Sequence, residues 1–285
     1  MISLGIMQGR LVPSNGRGIQ FFPFENWEEE FYKGKKLGIK EIEWIFDYDR
    51  YKENPMWTDA GIQRMKEVME KTGVCIRSVC FDYFMRRAFY KRSEDEKGKL
   101  REENLTIAEK VLKSMNEIGA ELLEIPMVDD SSVKNAGEEA DVIGFLHDVL
   151  KLSKSLDIMV GCETDMPAGV FRPFLEKVDD PNIYANYDSG NSSGLGYDHE
   201  EEITSLNEYI ANVHIKDRKL HGTTMVLGTG SADFNKVFSS LKRIGYDGSI
   251  LLQAARGEDG DEENNIADQL GFVKRYCRKY GLEVC

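Results

Sequence analysis

No stretch of this sequence approaches the roughly 20 consecutive apolar residues that a bilayer-spanning helix needs. The opening, Met1-Ile-Ser-Leu-Gly-Ile-Met-Gln-Gly-Arg10, lacks the charged, apolar and cleavage regions of a secretion signal. No membrane association is therefore expected, and the cytoplasm is the expected compartment. Cysteine is sparse: the five residues Cys75, Cys80, Cys162, Cys277 and Cys285 are odd in number and show no CxxC spacing. That excludes a disulfide framework and a cysteine zinc site, so reduced thiols are expected, four of them in apolar or helical surroundings that suit a small buried side chain. Positive charge is also short, with 37 Lys and Arg against 50 Asp and Glu and a net charge of -13. Nucleic-acid binding relies on cations to neutralise phosphates, so no nucleic-acid partner is expected. The first turn, Gln8-Gly9-Arg10-Leu11, is not GxGxxG, and no Pro/Ser-rich linker or low-complexity tract divides the chain. One domain over residues 1–285 is expected.

What the sequence does contain is a large core and a repeated unit. At 41% hydrophobic and 31% charged, with a mean hydropathy of -0.44, the composition is that of a globular chain. Short β-branched apolar runs alternate with longer amphipathic segments to the end, the mark of βα units. Strands are expected at Ser3 to Met7, Glu41 to Phe46, Cys75 to Cys80, Glu121 to Ile125, Ile158 to Glu163, Ile183 to Asp188, Ala211 to Lys216 and Ser249 to Gln253. Helical patterns lie between them, such as Asp59 to Lys71, with Ile62, Met65, Val68 and Met69 on one stripe, and Glu94 to Ile118. The joints repeat as well: Lys-Leu-Gly38, Lys-Thr-Gly73, Glu-Ile-Gly119 and Arg-Ile-Gly245 each precede an apolar run, as when a left-handed glycine ends a helix. Eight such units and 285 residues predict an α/β fold of the (β/α)8 TIM barrel type. The segment Glu258 to Glu263 is expected to be a solvated loop before the final helix.

In such a barrel the chemistry gathers at the C-terminal ends of the strands. Strand five ends Cys-Glu163-Thr-Asp165, strand six Tyr-Asp188-Ser-Gly-Asn191, strand seven Val-His214-Ile-Lys216-Asp217-Arg218, and strand eight Leu-Gln253-Ala-Ala-Arg256. Two carboxylates and an imidazole, Glu163, Asp188 and His214, suit one divalent metal ion such as Mn, Co, Zn or Mg, with Gln253 as a neutral fourth ligand. Buried carboxylates normally have a cation nearby, because an unpaired buried charge is costly. Strand alternation puts His214, Lys216 and Arg218 on one face and Ile215 and Asp217 on the other, making Asp217 a supporting residue. Arg10, Lys216, Arg218 and Arg256 are candidates to bind a phosphate or substrate hydroxyls, with a surface ion pair as the alternative for each. Glu43 on strand two is a candidate acid or base facing the pocket, while Trp44 beside it is expected to pack outward. His199 and His221 are expected in solvated loops.

These pieces, in this order and spacing, resemble the xylose isomerase-like TIM barrels, in particular the sugar phosphate isomerase/epimerase branch, and more distantly endonuclease IV. The resemblance runs over essentially the whole chain. It rests on Gly5-Ile-Met-Gln-Gly-Arg10-Leu, Ile42-Glu43-Trp44, Glu163-Thr-Asp, Tyr-Asp188-Ser-Gly-Asn191, Val-His214-Ile-Lys-Asp217, Leu227-Gly-Thr-Gly-Ser-Ala-Asp-Phe234 and Gly245-Tyr-Asp-Gly248. It implies a metal held by Glu163, Asp188 and His214, and a proton shift beside a carbonyl through an enediolate, with Glu163 as proton acceptor and Asn191 and the cations holding substrate. The strand-eight position departs from the pattern: Gln253 stands where a glutamate is usual, and an amide takes no proton at neutral pH. That favours same-face proton return, hence isomerisation over epimerisation, unless another group supplies the proton. The expected partner is a small sugar or sugar phosphate, and a homo-oligomer stays open. A dehydratase or lyase on a related polyol and a noncatalytic sugar-binding barrel are the alternatives. Phosphodiester hydrolysis fits poorly with only four histidines.

Overall fold

The computed structural model describes residues 1–285. Eight parallel strands close into a barrel: β1 Ser3–Met7, β2 Glu41–Ile45, β3 Ser78–Cys80, β4 Leu122–Met127, β5 Met159–Thr164, β6 Ile183–Asp188, β7 Ile210–Ile215 and β8 Ser249–Leu252. Each strand pairs with its neighbours in sequence, and β1 pairs with β8 to complete the ring. The expected α/β barrel is the observed fold. No helix is long and apolar enough to cross a membrane.

The helices form where apolar spacing and caps coincide. Asp59–Thr72 starts on Thr58, whose hydroxyl accepts from the Gly61 N–H at 3.1 Å; it buries Ile62, Met65 and Val68 and ends at Gly73, at φ 74°. Gly119 ends Glu94–Ile118 in the same left-handed way, at φ 76°, a backbone conformation costly for any residue with a Cβ. The side chain of Trp44 leaves β2 outward into the helical layer, against Phe22 and Trp27, with its indole N–H donating to Asn54 at 3.0 Å.

Several expected boundaries shift. The strand expected from Cys75 forms its ladder only over Ser78–Cys80, with Cys75 making a lone bridge to Glu41. β4 runs on to Met127, and Lys216 and Gln253 fall just past the ends of β7 and β8. The final helix, Glu262–Tyr280, begins inside the acidic segment expected to be loop. Between β7 and β8 a short antiparallel ribbon joins Asp217–Arg218 to Thr224–Met225. His199 is no solvated loop residue: it opens helix His199–Leu206, buried, with Nδ1 2.7 Å from the Tyr187 hydroxyl. His221 is exposed in a turn, as expected. None of the five cysteines is bridged; Cys80, Cys162 and Cys277 are buried, Cys75 is half-buried and Cys285 exposed.

One irregularity positions the site. The β6–β7 register starts with Ala185 opposite Ile210, then shifts, so that Asn186 faces Asn212 and Asp188 faces His214. Without the extra residue in β7, Asp188 would lie opposite Val213. Because side chains alternate, the bulge brings imidazole and carboxylate to the same side of the sheet.

Candidate metal centre and cavity

Glu163 at the end of β5, Asp188 at the end of β6 and His214 in β7 are all buried, and their ligand atoms lie within 4.8 Å of one another. Asp188 is also the N-cap of helix Ser189–Leu195: its Oδ1 accepts from the N–H groups of Gly190 at 2.6 Å and Asn191 at 2.8 Å. Its other oxygen, Oδ2, is buried with no hydrogen-bond partner and lies 3.6 Å from the Lys216 ammonium. Glu163 is held by two amides, Asn191 to Oε1 at 2.5 Å and Asn186 to Oε2 at 3.2 Å. His214 presents Nδ1 to Glu163 Oε2 at 3.6 Å, while Nε2 lies 2.8 Å from Glu43 Oε1. A carboxylate behind the imidazole fixes its orientation and raises its basicity as a ligand. A buried carboxylate oxygen without a hydrogen-bond partner, a second carboxylate and an imidazole whose Nδ1 hydrogen-bonds only with the Asn186 amide, at 3.1 Å, form a donor set that suits a divalent cation.

The electrostatics of the chain agree. Burial alone would lower the His214 pKa, but Glu43, with Glu163 and Asp188 adding to it, outweighs burial and raises the imidazole to about 9. Glu43 feels burial in the opposite sense, yet the charge of His214 and bonds from His214 and Ser78 hold it below the usual carboxylate range. Beneath them Glu124 has neither carboxylate oxygen hydrogen-bonded. Burial, then the charges of Glu43 and Glu163, push it well above its ordinary value. The barrel interior below the mouth thus concentrates acidic groups around one imidazole.

Above this cluster opens a cavity of about 590 Å³, lined by Glu163, Asn191, Lys216, Arg218 and Gln253 from the expected set. Lys216 reaches it along Gly190, where a Cβ would sit 2.4 Å from the lysine Cγ. Its ammonium donates to Gln253 Oε1 at 3.2 Å. Arg218 donates to Asn191 Oδ1 at 3.3 Å and to the Gly222 carbonyl at 3.0 Å. Asp217 points away from the cavity and accepts from the N–H groups of Gly228, Gly230 and Ala232 at 2.9, 2.8 and 3.0 Å, tying down the loop before the next helix.

Asp188 and His214 lie outside the cavity lining, and of the substrate-binding candidates three do not reach it. Glu43 is fully buried below it, spent on His214, Ser78 and Asn212, because it lies mid-strand rather than at the strand end. Arg10 is buried beside Glu30, donates to the Ile19 carbonyl and is lowered to about 9 by burial and then by Arg256. Arg256 donates to the carbonyls of Gly9 and Val12 and lies over Phe21, so it fastens the loop after β1 rather than lining the cavity. In their place the cavity includes Gln20, Asp47, Asp82 and Arg86, none of which was singled out from sequence. Asp82 had a readable signal, a carboxylate two residues past an apolar strand. Asn186 and Asn212 had one too, each two residues before a candidate ligand and so on its face.

A parallel eight-stranded barrel with carboxylates and an imidazole gathered toward the C-terminal mouth belongs to the class of (β/α)8 barrels that carry their polar groups at the strand ends. Residues 31–276 match the profile of the xylose isomerase-like TIM barrel, and the chain belongs to that family. Among curated proteins it is similar to L-ribulose-5-phosphate 3-epimerase UlaE of Escherichia coli, 25% identical over 272 residues that cover 90% of this chain and 92% of that one. Among solved structures it resembles D-psicose 3-epimerase from Clostridium cellulolyticum in complex with D-tagatose, with a TM-score of 0.75, 15% identity and coverage of 96% and 99%. It resembles equally the IOLI protein with a bound zinc atom, with a TM-score of 0.75, 16% identity and coverage of 98% and 99%.

Proposed function

We propose that this chain is a metal-dependent isomerase or epimerase of a small ketose or ketose phosphate, acting at the carbon next to the carbonyl. The observation that carries the reading is the gathering of Asp188 Oδ2, buried without a hydrogen-bond partner, with His214 and with Glu163, which lines the cavity. Family membership and the names of the similar proteins, one a ribulose-phosphate epimerase and one a psicose epimerase, support it.

Glu163, Asp188 and His214 would hold the metal, with Gln253 as a neutral neighbour, and the ion, of the Mn, Co, Zn or Mg kind, would stabilise negative charge on the substrate's oxygens. The residues of the chain do the rest. Glu163 faces the cavity as a carboxylate fixed by Asn191 and Asn186, the arrangement of a positioned base that takes a proton from carbon. The Lys216 ammonium and the Arg218 guanidinium line the same cavity and suit the hydroxyls or phosphate of an anionic sugar. His214 keeps its place through Glu43 and stays out of the proton transfer.

The test is direct. Purified chain should carry about one divalent metal per chain by elemental analysis. Reloaded with Mn(II), it should convert a ketose or ketose 5-phosphate from a panel that includes L-ribulose 5-phosphate and D-tagatose. Glu163→Gln should abolish turnover. An enone or other dehydrated product, or turnover that survives chelation, would sink the reading.

A further inference from the structure

We infer that Asp82 is the second proton-transfer group of this site, giving a proton to the face of the substrate opposite Glu163 and doing the work the amide of Gln253 cannot. The inference rests on the proposed isomerase or epimerase reading and deepens it. Asp82 follows β3, which stands two places round the ring from β5, the strand that carries Glu163. Asp82 and Glu163 thus border the one cavity from two different strands, with β4 between them.

Asp82 is placed there by a chain of side chains along the wall. Lys216 Nζ donates to Gln253 Oε1 at 3.2 Å, Gln253 Nε2 donates to Gln20 Oε1 at 2.9 Å, and Gln20 Nε2 donates to Asp82 Oδ2 at 2.7 Å. Each amide has its carbonyl turned toward Lys216 and its NH2 group toward Asp82, so the chain has one direction and ends on a carboxyl. The thiol of Cys80 donates to the other oxygen at 3.3 Å. At position 253 there is no acid; the network that begins there ends on one. Burial, helped by the charges of Asp47 and Glu163 and opposed by the Gln20 hydrogen bond, moves Asp82 up to about 7, so acid and carboxylate forms are both populated near neutral pH.

Glu163 takes the proton from the carbon beside the carbonyl, leaving the electron pair in an enediolate. Asp82 in its acid form gives its proton to the opposite face of the same carbon, which inverts it. Glu163 is then protonated and Asp82 ionised, and exchange with water restores both. With Asp82 silenced, only return from Glu163 on the original face remains.

The experiment uses the Mn(II)-loaded chain in deuterium oxide with L-ribulose 5-phosphate and D-tagatose, following deuterium wash-in and inverted product by NMR. Native chain, Asp82→Asn, Asp82→Ser and Glu163→Gln are compared, each checked for melting temperature and Mn(II) stoichiometry. The expected result is that the ratio of deuterium wash-in to inverted product rises about 100-fold in both Asp82 variants, in line with the usual weight of one acid-base group, while Glu163→Gln loses both signals. If either folded Asp82 variant inverts substrate with the native ratio, the assignment of Asp82 falls and the isomerase reading stands. If the native chain gives neither wash-in nor product on either sugar, the isomerase reading fails and this inference with it.

Discussion

Replacing Asp188 separates two duties of one side chain. Its Oδ1 caps helix Ser189–Leu195, and its buried Oδ2 has no hydrogen-bond partner and lies 3.6 Å from the Lys216 ammonium. Asparagine keeps a capping oxygen and loses the charge; alanine loses both. Loss of the cap alone costs about 1 kcal/mol, which in a domain of this size lowers Tm by roughly 2–4 °C. A cation bound at about 100 times its Kd stabilises the native state by about 2.7 kcal/mol, so Mn(II) should raise the native Tm by roughly 5–10 °C. In Asp188→Asn the metal-free Tm should stay close to native, because the lost contact with Lys216 is partly offset by relief of the crowded carboxylates. The Mn(II)-induced rise should vanish. Asp188→Ala should also lose the rise and melt a few degrees lower still. The assay is scanning calorimetry of chelator-treated chain with and without Mn(II). The reasoning is refuted if Asp188→Asn keeps more than half of the metal-induced rise, or if the asparagine and alanine variants melt together.

Other consequences are as concrete. Asp217→Ala removes the acceptor of three N–H groups, so denaturant titration should show a loss of about 3 kcal/mol; a loss below about 1 kcal/mol would contradict the tether. Arg256→Leu frees the carbonyls of Gly9 and Val12, and limited proteolysis should cut the loop after β1 at least several-fold faster, with cavity metal content unchanged. Burial raises Glu202 to about 7, and its Oε2 has no partner. A carboxyl raised on folding contributes stability that is complete below its unfolded pKa and is lost as pH climbs through about 7. Glu202→Gln should therefore leave stability unchanged near pH 4 and raise it by about 2 kcal/mol at pH 8. Equal stability of variant and native chain at pH 8 would refute this.

Much of the fold was legible because local and global signals agree. Apolar runs, amphipathic stripes and the glycines that end helices all repeat with the βα unit, and the end of β6 at Asp188 was readable to the residue. Strand alternation correctly separated Lys216 from Asp217 and Glu43 from Trp44. It gives direction, however, and not depth: Glu43 points inward but sits mid-strand, below the cavity, where His214 takes it up. The cations at 10 and 256 were misjudged because their partners are backbone carbonyls of a loop, which carry no sequence signature. The β7 bulge that aligns His214 with Asp188 is a register effect between strands and is invisible along one chain. The end of β3 at Cys80 was readable as well; Asp82 was passed over because it lies two residues beyond that end, opening helix Asp82–Arg86 rather than closing the strand.

The uneven wiring of the mouth bears on how such a site can drift. Position 188 answers at once to a helix start, through Oδ1, and to whatever the buried Oδ2 meets, so nearly every substitution there breaks two things. Position 253 answers only to the long, flexible side chains of Lys216 and Gln20. Acid and amide can exchange there with little disturbance to the barrel, which under the proposed function makes strand eight the place where this scaffold could change the stereochemical course of the reaction without refolding the rest.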